Sequence, residues 1–317
     1  MIQVKKKIIN GVPSFKQYWK GQPVINYNPS DHDYSKDYLT FDILTSGTLA
    51  WTLVNNMVSI SIAYSINGGD WVSWSSSYNG NPIQVQAGDT VRLRGGDSRY
   101  AYSNTDYNTF GGSSYSIGTA TFNVEGNIMS LIYGDNFVGK TTMSGTYNFC
   151  SMFKWANVVS AENLILPATT LTDHCYRAMF SKSPTLVVAP QLPATTLAQD
   201  CYQQMFFGCT SLTTAPELPA TTLANYCYQN MFQGCTSLTT APALPATTLV
   251  RYCYRQMFYG CTNLNNIECR ATDISAPYCL YNWVQYVAAT GTFVKKAGVT
   301  YPSGNSGIPS GWTVVEE

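Results

Sequence analysis

Residues 227–249 read CYQNMFQGCTSLTTAPALPATTL, and the stretch recurs. Its closing LPATTL stands at 166–171, 192–197, 218–223 and 244–249, a step of 26 residues that does not drift. Cys175, Cys201, Cys227 and Cys253 keep that step, and Cys279 continues it. The pairs Met179-Phe180, Met205-Phe206, Met231-Phe232 and Met257-Phe258 keep it too, as do Leu186, Leu212, Leu238 and Leu264. A second series, Cys209, Cys235 and Cys261, has Ser183 at its head. Met152-Phe153 belong to an incomplete copy one residue out of step. One copy cannot bury its own apolar face, so like positions of neighbouring copies must stack into core columns.

A period of this length with Leu at fixed positions predicts a leucine-rich-type solenoid. Within a copy, Cys227, Met231 and Cys235 fall at i, i+4 and i+8, which predicts one face of a short helix or helical turn. Gly208, Gly234 and Gly260 follow as helix C-caps. SLTTAP then predicts a short strand ended by Pro216 or Pro242, and the next LPATTL turns the chain back. The cysteines become buried, reduced core residues, because a free Cys behaves as a small apolar side chain. Zinc would need closer paired cysteines with His support, and the chain has only two His. Disulfides between copies would need Cα atoms within about 7 Å, closer than the ~8–10 Å between packed helices.

The repeat CYQNMFQGCTSLTTAPALPATTL resembles the BspA-like leucine-rich repeats of Bacteroidetes surface proteins and of phages of those bacteria, crAss-like phages among them. NVEGNIMSLIYGDNF at 123–137 and ATGTF…SGIPSGWTV at 289–314 are similar to the segments that flank those repeats. The resemblance covers residues 120–317 closely and 38–120 loosely. It is specific for the repeat and unspecific for function. What it implies is adhesion or surface binding rather than catalysis, since members are described as adhesins or surface-binding proteins. This sequence departs from the secreted members in having no signal peptide.

Composition narrows the function classes. Lys+Arg and Asp+Glu both number 18 in 317 residues, and charged residues are 11% against about 25% in ordinary soluble proteins. A nucleic-acid binder needs a basic excess, and a coiled coil needs charged heptad flanks. Neither is present. No apolar run approaches the ~18 residues that span a bilayer. The start, MIQVKKKIINGVPSFKQYW, has no apolar stretch after its lysines, so a secretory signal is not expected.

Outside the repeats, YLTFDIL, TLAWTLV, SISIAYSI, PIQVQ, TVRLRG and TATFNV predict strands. Asn67-Gly68-Gly69-Asp70 and Ala87-Gly88-Asp89 predict the turns between them. Gly95–Gly118 is rich in Gly, Ser, Tyr and Asn, the composition of a binding loop. Residues 1–37 hold six Lys against three Asp with Tyr18, Trp19 and Tyr27, a composition that suits a segment ordered by a partner. The expected fold is therefore mainly β with short helices. An attachment arm or leader spans 1–37, a β-sandwich 38–126, the leucine-rich-repeat solenoid 127–279 and a capping unit 280–317.

Gly134, Gly139, Lys140 and Thr141 match the phosphate-binding G-x-x-x-x-G-K-[ST] pattern after a candidate strand IMSLIY. Gly145 soon interrupts the helix that should follow, and no strand–helix alternation supplies a parallel sheet. The match is read as chance. His32 and His174 read as surface residues without a triad or metal partner. No catalytic residue, metal or cofactor is expected.

Comparing the copies with one another separates scaffold from candidate site. Positions 173/199/225/251, 174/200/226/252, 177/203/229/255 and 181/207/233/259 vary, while Cys, Met, Phe and Leu hold. Near the C-terminal end the varying positions gather Tyr226, Arg251, Tyr252, Arg255 and Tyr259, types enriched at recognition hot spots. The functional expectation is a non-enzymatic virion protein, a head fibre or tail-associated decoration, made in the host cytoplasm. Residues 1–37 would join other virion proteins, and the repeat surface would meet a host-surface protein or glycan. Nucleic acid and membrane insertion are not expected, and self-association into a homo-oligomer is left open. The alternatives are a bacterial cell-surface adhesin and, remotely, a P-loop nucleotide-binding protein.

Overall fold

The computed structural model describes residues 32–51, 62–74, 82–95, 118–143 and 145–317, and elsewhere only the backbone of short strands. The expected loop Gly95–Gly118 lies, but for its ends, outside the described residues, as does the expected arm up to residue 31. The chain divides into two compact units, Met1–Tyr34 and Ser35–Glu317. In the first, β1 (Lys5–Ile9) pairs antiparallel with β2 (Val12–Lys16), and β3 (Tyr18–Trp19) with β4 (Gln22–Pro23).

The second unit is mainly β, with several sheets and one short α-helix among the described residues. Its first strands are β5 (Leu39–Ile43), β6 (Gly47–Leu49), β7 (Trp51–Thr52), β8 (Ser61–Ile66), β9 (Val72–Ser75), β10 (Ile83–Val85) and β11 (Thr90–Arg94). They continue as β12 (Asn108–Thr109), β13 (Gly111–Gly112), β14 (Tyr115–Ser116) and β15 (Phe122–Asn127). With β16 (Leu164–Ile165) they make a six-stranded sheet in the order β16-β15-β5-β11-β8-β9. Smaller pairs are β10-β6, β14-β7 and β12-β13. Register puts Val91 opposite both Phe41 and Ile66, and Val124 opposite Phe41. Because side chains alternate along a strand, Phe41, Val91, Leu93, Phe122 and Val124 share a buried face. Asn67 and Gly68 both have positive φ, and the Gly69 N–H donates to Ile66 O. That is the backbone of a type I′ turn, the one whose twist suits a hairpin. β9 was not among the strands expected from sequence.

β15 joins this sheet to the repeats. On one side it pairs antiparallel with β5, and on the other it runs parallel to β16 of the incomplete copy. The boundary expected at 126/127 therefore falls inside a strand. Gly126 is required here, since at φ +76° a Cβ would come within 2.1 Å of Tyr38 O.

The expected short helices at CYQNMFQGC are absent. Residues 226–235 form consecutive turns instead. The Cys227, Gln229, Met231, Gln233 and Cys235 N–H groups each donate three residues back within the copy. The alternate amides of Tyr226, Tyr228, Asn230, Phe232 and Gly234 donate to Arg251, Cys253, Arg255, Met257 and Tyr259 O of the next copy, at 2.8–3.2 Å. A left-handed residue every fourth position makes this possible: Tyr226 (φ 60°), Asn230 (φ 56°) and Gly234 (φ 75°). In a helix all amides would point along the axis. Here every second one is turned sideways. Gly208, Gly234 and Gly260 are consequently the third left-handed positions of these turn ribbons rather than helix C-caps. SLTTAP is likewise reduced from a strand to single parallel bridges, such as Val188 to Thr214 and Thr240 to Asn266.

The columns predicted from the repeat are stacked. Tyr176, Tyr202, Tyr228 and Tyr254 are fully buried, with successive ring centroids 5.8, 5.9 and 6.1 Å apart. Phe153, Phe180, Phe206, Phe232 and Phe258 run beside them at 5.1–5.8 Å. Each buried ring contributes roughly 1.5–3 kcal/mol relative to exposure. Aromatics of other elements close both ends. Phe41 meets Phe153 at 6.0 Å, and the Trp51 indole donates to Met152 O. At the far end Trp283 lies against both Tyr254 and Phe258 and donates to Gly307 O. There β17 (Asn266–Cys269), β18 (Thr292–Lys295) and β19 (Thr313–Glu316) form a parallel sheet.

All ten cysteines are buried thiols outside any disulfide. The second series has a specific role. Cys209, Cys235 and Cys261 donate S–H to Phe180, Phe206 and Phe232 O at 3.0, 3.1 and 2.9 Å. Ser183 makes the same bond to Phe153 O at 2.7 Å, which is why a hydroxyl can head that series.

Candidate functional site

The turn ribbons put their left-handed positions in register, so side chains there line up from copy to copy. Tyr226 stacks on Tyr252 at 4.7 Å, and Tyr252 on Tyr278 at 5.1 Å with planes 4° apart. The guanidiniums of Arg251 and Arg255 lie 5.0 and 5.4 Å from the Tyr252 ring, and Arg255 is also 5.6 Å from Tyr281. Tyr259 meets Tyr286 edge-on at 5.2 Å. Among the described residues no carboxylate lies within ion-pair distance of Arg251 or Arg255. The Arg255 Nε is buried without a hydrogen-bond partner. Four of the five residues singled out in the sequence, Tyr226, Arg251, Tyr252 and Arg255, thus lie together, while Tyr259 pairs with Tyr286. Tyr278, Tyr281 and Tyr286 are more than 40% exposed, and the first two extend the group. Sequence comparison missed them because the last copy was taken to end at Cys279, whereas its amide ladder continues to Gln285.

Toward the other end, the same column holds a polar group. His174 stacks on Tyr147 at 4.3 Å, and its Nδ1 lies 3.5 Å from Asp200 Oδ2. Burial holds the His174 pKa below its ordinary value and raises that of Asp200, outweighing their mutual attraction. His174 Nδ1 thus lies near a carboxylate one copy further on, without a hydrogen bond to it. The 26-residue step was the signal for it. No hydroxyl or thiol nucleophile is hydrogen-bonded to this imidazole, so it does not make a hydrolytic triad.

The P-loop-like segment has another structure. IMSLIY is not a strand: α1 (Ser130–Tyr133) begins just after β15, with Asn127 Oδ1 accepting from the Met129 N–H. Gly134–Asn136 is a single 3-10 turn, and no helix follows Thr141 among the described residues. Asp135 is tied to Arg94 at 2.5 and 2.8 Å and accepts from the Tyr38 hydroxyl, so Arg94 holds its carboxyl below the usual range. Lys140 is exposed and lies 5.4 Å from the Tyr133 ring. Gly134, Gly139, Lys140 and Thr141 are thus parts of a turn packed against β11, without the helix N-terminus that cradles phosphates.

Among the described residues no cluster of three His, Cys, Asp or Glu is arranged to hold a metal, and no helix is long and apolar enough to cross a membrane. No family model, curated protein or solved structure matches the chain.

Proposed function

We propose that the repeats form a solenoid of the leucine-rich, BspA-like type and that the protein is a non-enzymatic recognition protein. Its strip of Tyr226, Arg251, Tyr252, Arg255 and Tyr259 meets a host-surface protein or glycan. In this reading the chain is a phage virion appendage, a head fibre or tail-associated decoration, and its N-terminal segment attaches it to other virion proteins. The observation that carries the recognition role is the strip itself: half-buried Tyr226, Tyr252 and Tyr259 beside exposed Tyr278, Tyr281 and Tyr286, with two arginines that have no carboxylate partner among the described residues. They stand on a backbone hydrogen-bonded copy to copy. Rigid aromatic and Arg anchors lose little conformational entropy on binding. The sequence resemblance to Bacteroidetes surface proteins and their phages supplies the setting.

The test replaces Tyr252 and Tyr259 with Ala and measures attachment to host cells and to a glycan array. Loss of a true hot spot weakens binding by about 2 kcal/mol or more, roughly thirtyfold. Unchanged attachment by a variant with native melting behaviour would rule the strip out.

A further inference from the structure

A second aromatic and cationic cluster lies on the incomplete copy, away from Tyr252. Trp155 occupies a left-handed position (φ 61°) and keeps 41% of its surface exposed. The Lys154 ammonium lies 4.9 Å from its ring centroid, and that of Lys182 5.4 Å. Burial holds the Lys154 pKa down against an opposing interaction with Cys150, and the positive charges of Lys182 and Arg177 push it down further. Two ammoniums thus meet at the indole, with the Arg177 charge felt from nearby. Among the described residues none of them has a carboxylate within ion-pair distance. Of the nearby acids, Asp173 accepts from the Gln199 amide, and Asp200 sits with His174 and Gln199 while also feeling the Arg177 charge. Like charges held together with no ion-paired carboxylate repel one another in the unliganded protein and make the cluster a candidate site. An arriving anion relieves that repulsion through charge-assisted hydrogen bonds.

The Lys182 side chain lies against the glycine beside it, 3.6 Å from where a Gly208 Cβ would stand. Lys182 heads a column whose next members are Gly208, Gly234 and Gly260. A Cβ on Gly234 would lie 3.7 Å from Gly208 Cα, so backbone stacks on backbone with no side chain between. This leaves a shallow floor leading away from the indole.

We propose that Trp155, Lys154, Arg177 and Lys182 bind an acidic sugar. Its ring rests on the exposed indole, its sulfate, phosphate or carboxylate sits among the three cations, and the glycine column accommodates the continuing chain. The proposal is independent of the Tyr252 strip.

The experiment is isothermal titration calorimetry of the full chain with dextran sulfate, dextran phosphate, carboxymethyl dextran and neutral dextran. At least one acidic dextran should bind, its identity naming the acid, and the neutral polymer should not. Lys154→Gln with Lys182→Gln should weaken binding ~10-fold or more, and Lys182→Gln alone, at an exposed side chain, should weaken it measurably. Trp155→Ala should weaken binding and Trp155→Phe restore most of it, which charge alone would not require. Arg251→Gln with Arg255→Gln should leave binding unchanged, which separates this site from the strip. Wild-type affinity in a natively melting Lys154→Gln/Lys182→Gln variant would overturn the proposal. So would equal weakening by Trp155→Ala and Trp155→Phe, loss through the arginine pair alone, or no binding of any acidic dextran.

Discussion

The two cysteine series should respond differently to one isosteric change. Cys227 and Cys235 are both completely buried. Cys235 donates to Phe206 O at 3.1 Å, whereas the Cys227 thiol has no acceptor at hydrogen-bonding distance among the described residues. Cys235→Ser introduces a hydroxyl where an acceptor waits, in the geometry that Ser183 already uses at 2.7 Å. A neutral hydrogen bond contributes about 1 kcal/mol net, enough to offset most of the extra desolvation of the hydroxyl. Cys227→Ser buries a hydroxyl whose proton has no acceptor, which costs about 1–3 kcal/mol. The two variants should therefore differ by about 2 kcal/mol, with Cys227→Ser the less stable. At ~2–4 °C per kcal/mol for a large domain, that is a gap of several degrees in melting temperature. Urea midpoints should rank the same way. Repeat arrays need not unfold in one step, so the comparison is between the two variants under identical conditions. Equal destabilisation, or the reverse order, would refute the assignment of hydrogen-bonded and unbonded thiols.

Burial pushes Cys201, Cys209, Cys253 and Cys261 from 9.0 up to about 12. A raised folded-state pKa stabilises below the unfolded value and loses that contribution as pH rises through the folded one. Stability should hold to pH 9 and then fall toward pH 12 by about 1.4 kcal/mol per pH unit for each such thiol; a flat urea midpoint from pH 8 to 11.5 would contradict this. Thiol titration of the native protein should find few reactive groups and denaturant should release nearly all ten, while bridged pairs after alkylation without reductant would contradict it. Trp283→Ala should destabilise by about 3–5 kcal/mol, read as a lower urea midpoint, because one indole closes both aromatic columns. Deleting residues 1–34, the first compact unit, should leave the remainder folded but absent from particles, and normal incorporation of the truncated chain would defeat the attachment role.

What the sequence disclosed depended on the kind of pattern. Identical letters at a step of 26 gave the columns, because stacking demands identity at core positions. The local backbone was harder. Cys227, Met231 and Cys235 satisfy a helical face at i, i+4 and i+8, but the buried pairs Cys227-Tyr228 and Met231-Phe232 recur every four residues rather than every 3.6. That drift-free four was the available sign of turns. Left-handed Tyr226 and Asn230 gave no warning, since non-Gly residues adopt that region infrequently. The strip was legible where copies could be compared, through Tyr226, Arg251, Tyr252, Arg255 and Tyr259. His174 with Asp200, and Trp155 with Lys182, escaped because each pairing links two copies and the comparison asked only how positions vary. The β15 junction was hidden because a strand that pairs on both sides has the same alternation as an edge strand.

The proposed role is that of a virion appendage carrying its tyrosine and arginine strip outward. A cryo-electron microscopy reconstruction of purified particles is the decisive measurement. Density for the repeats is expected on the particle, with Tyr252, Tyr278 and Arg255 facing solvent and the N-terminal segment against another virion protein. Particles that lack the chain, or that bury the strip against a neighbouring subunit, would contradict it.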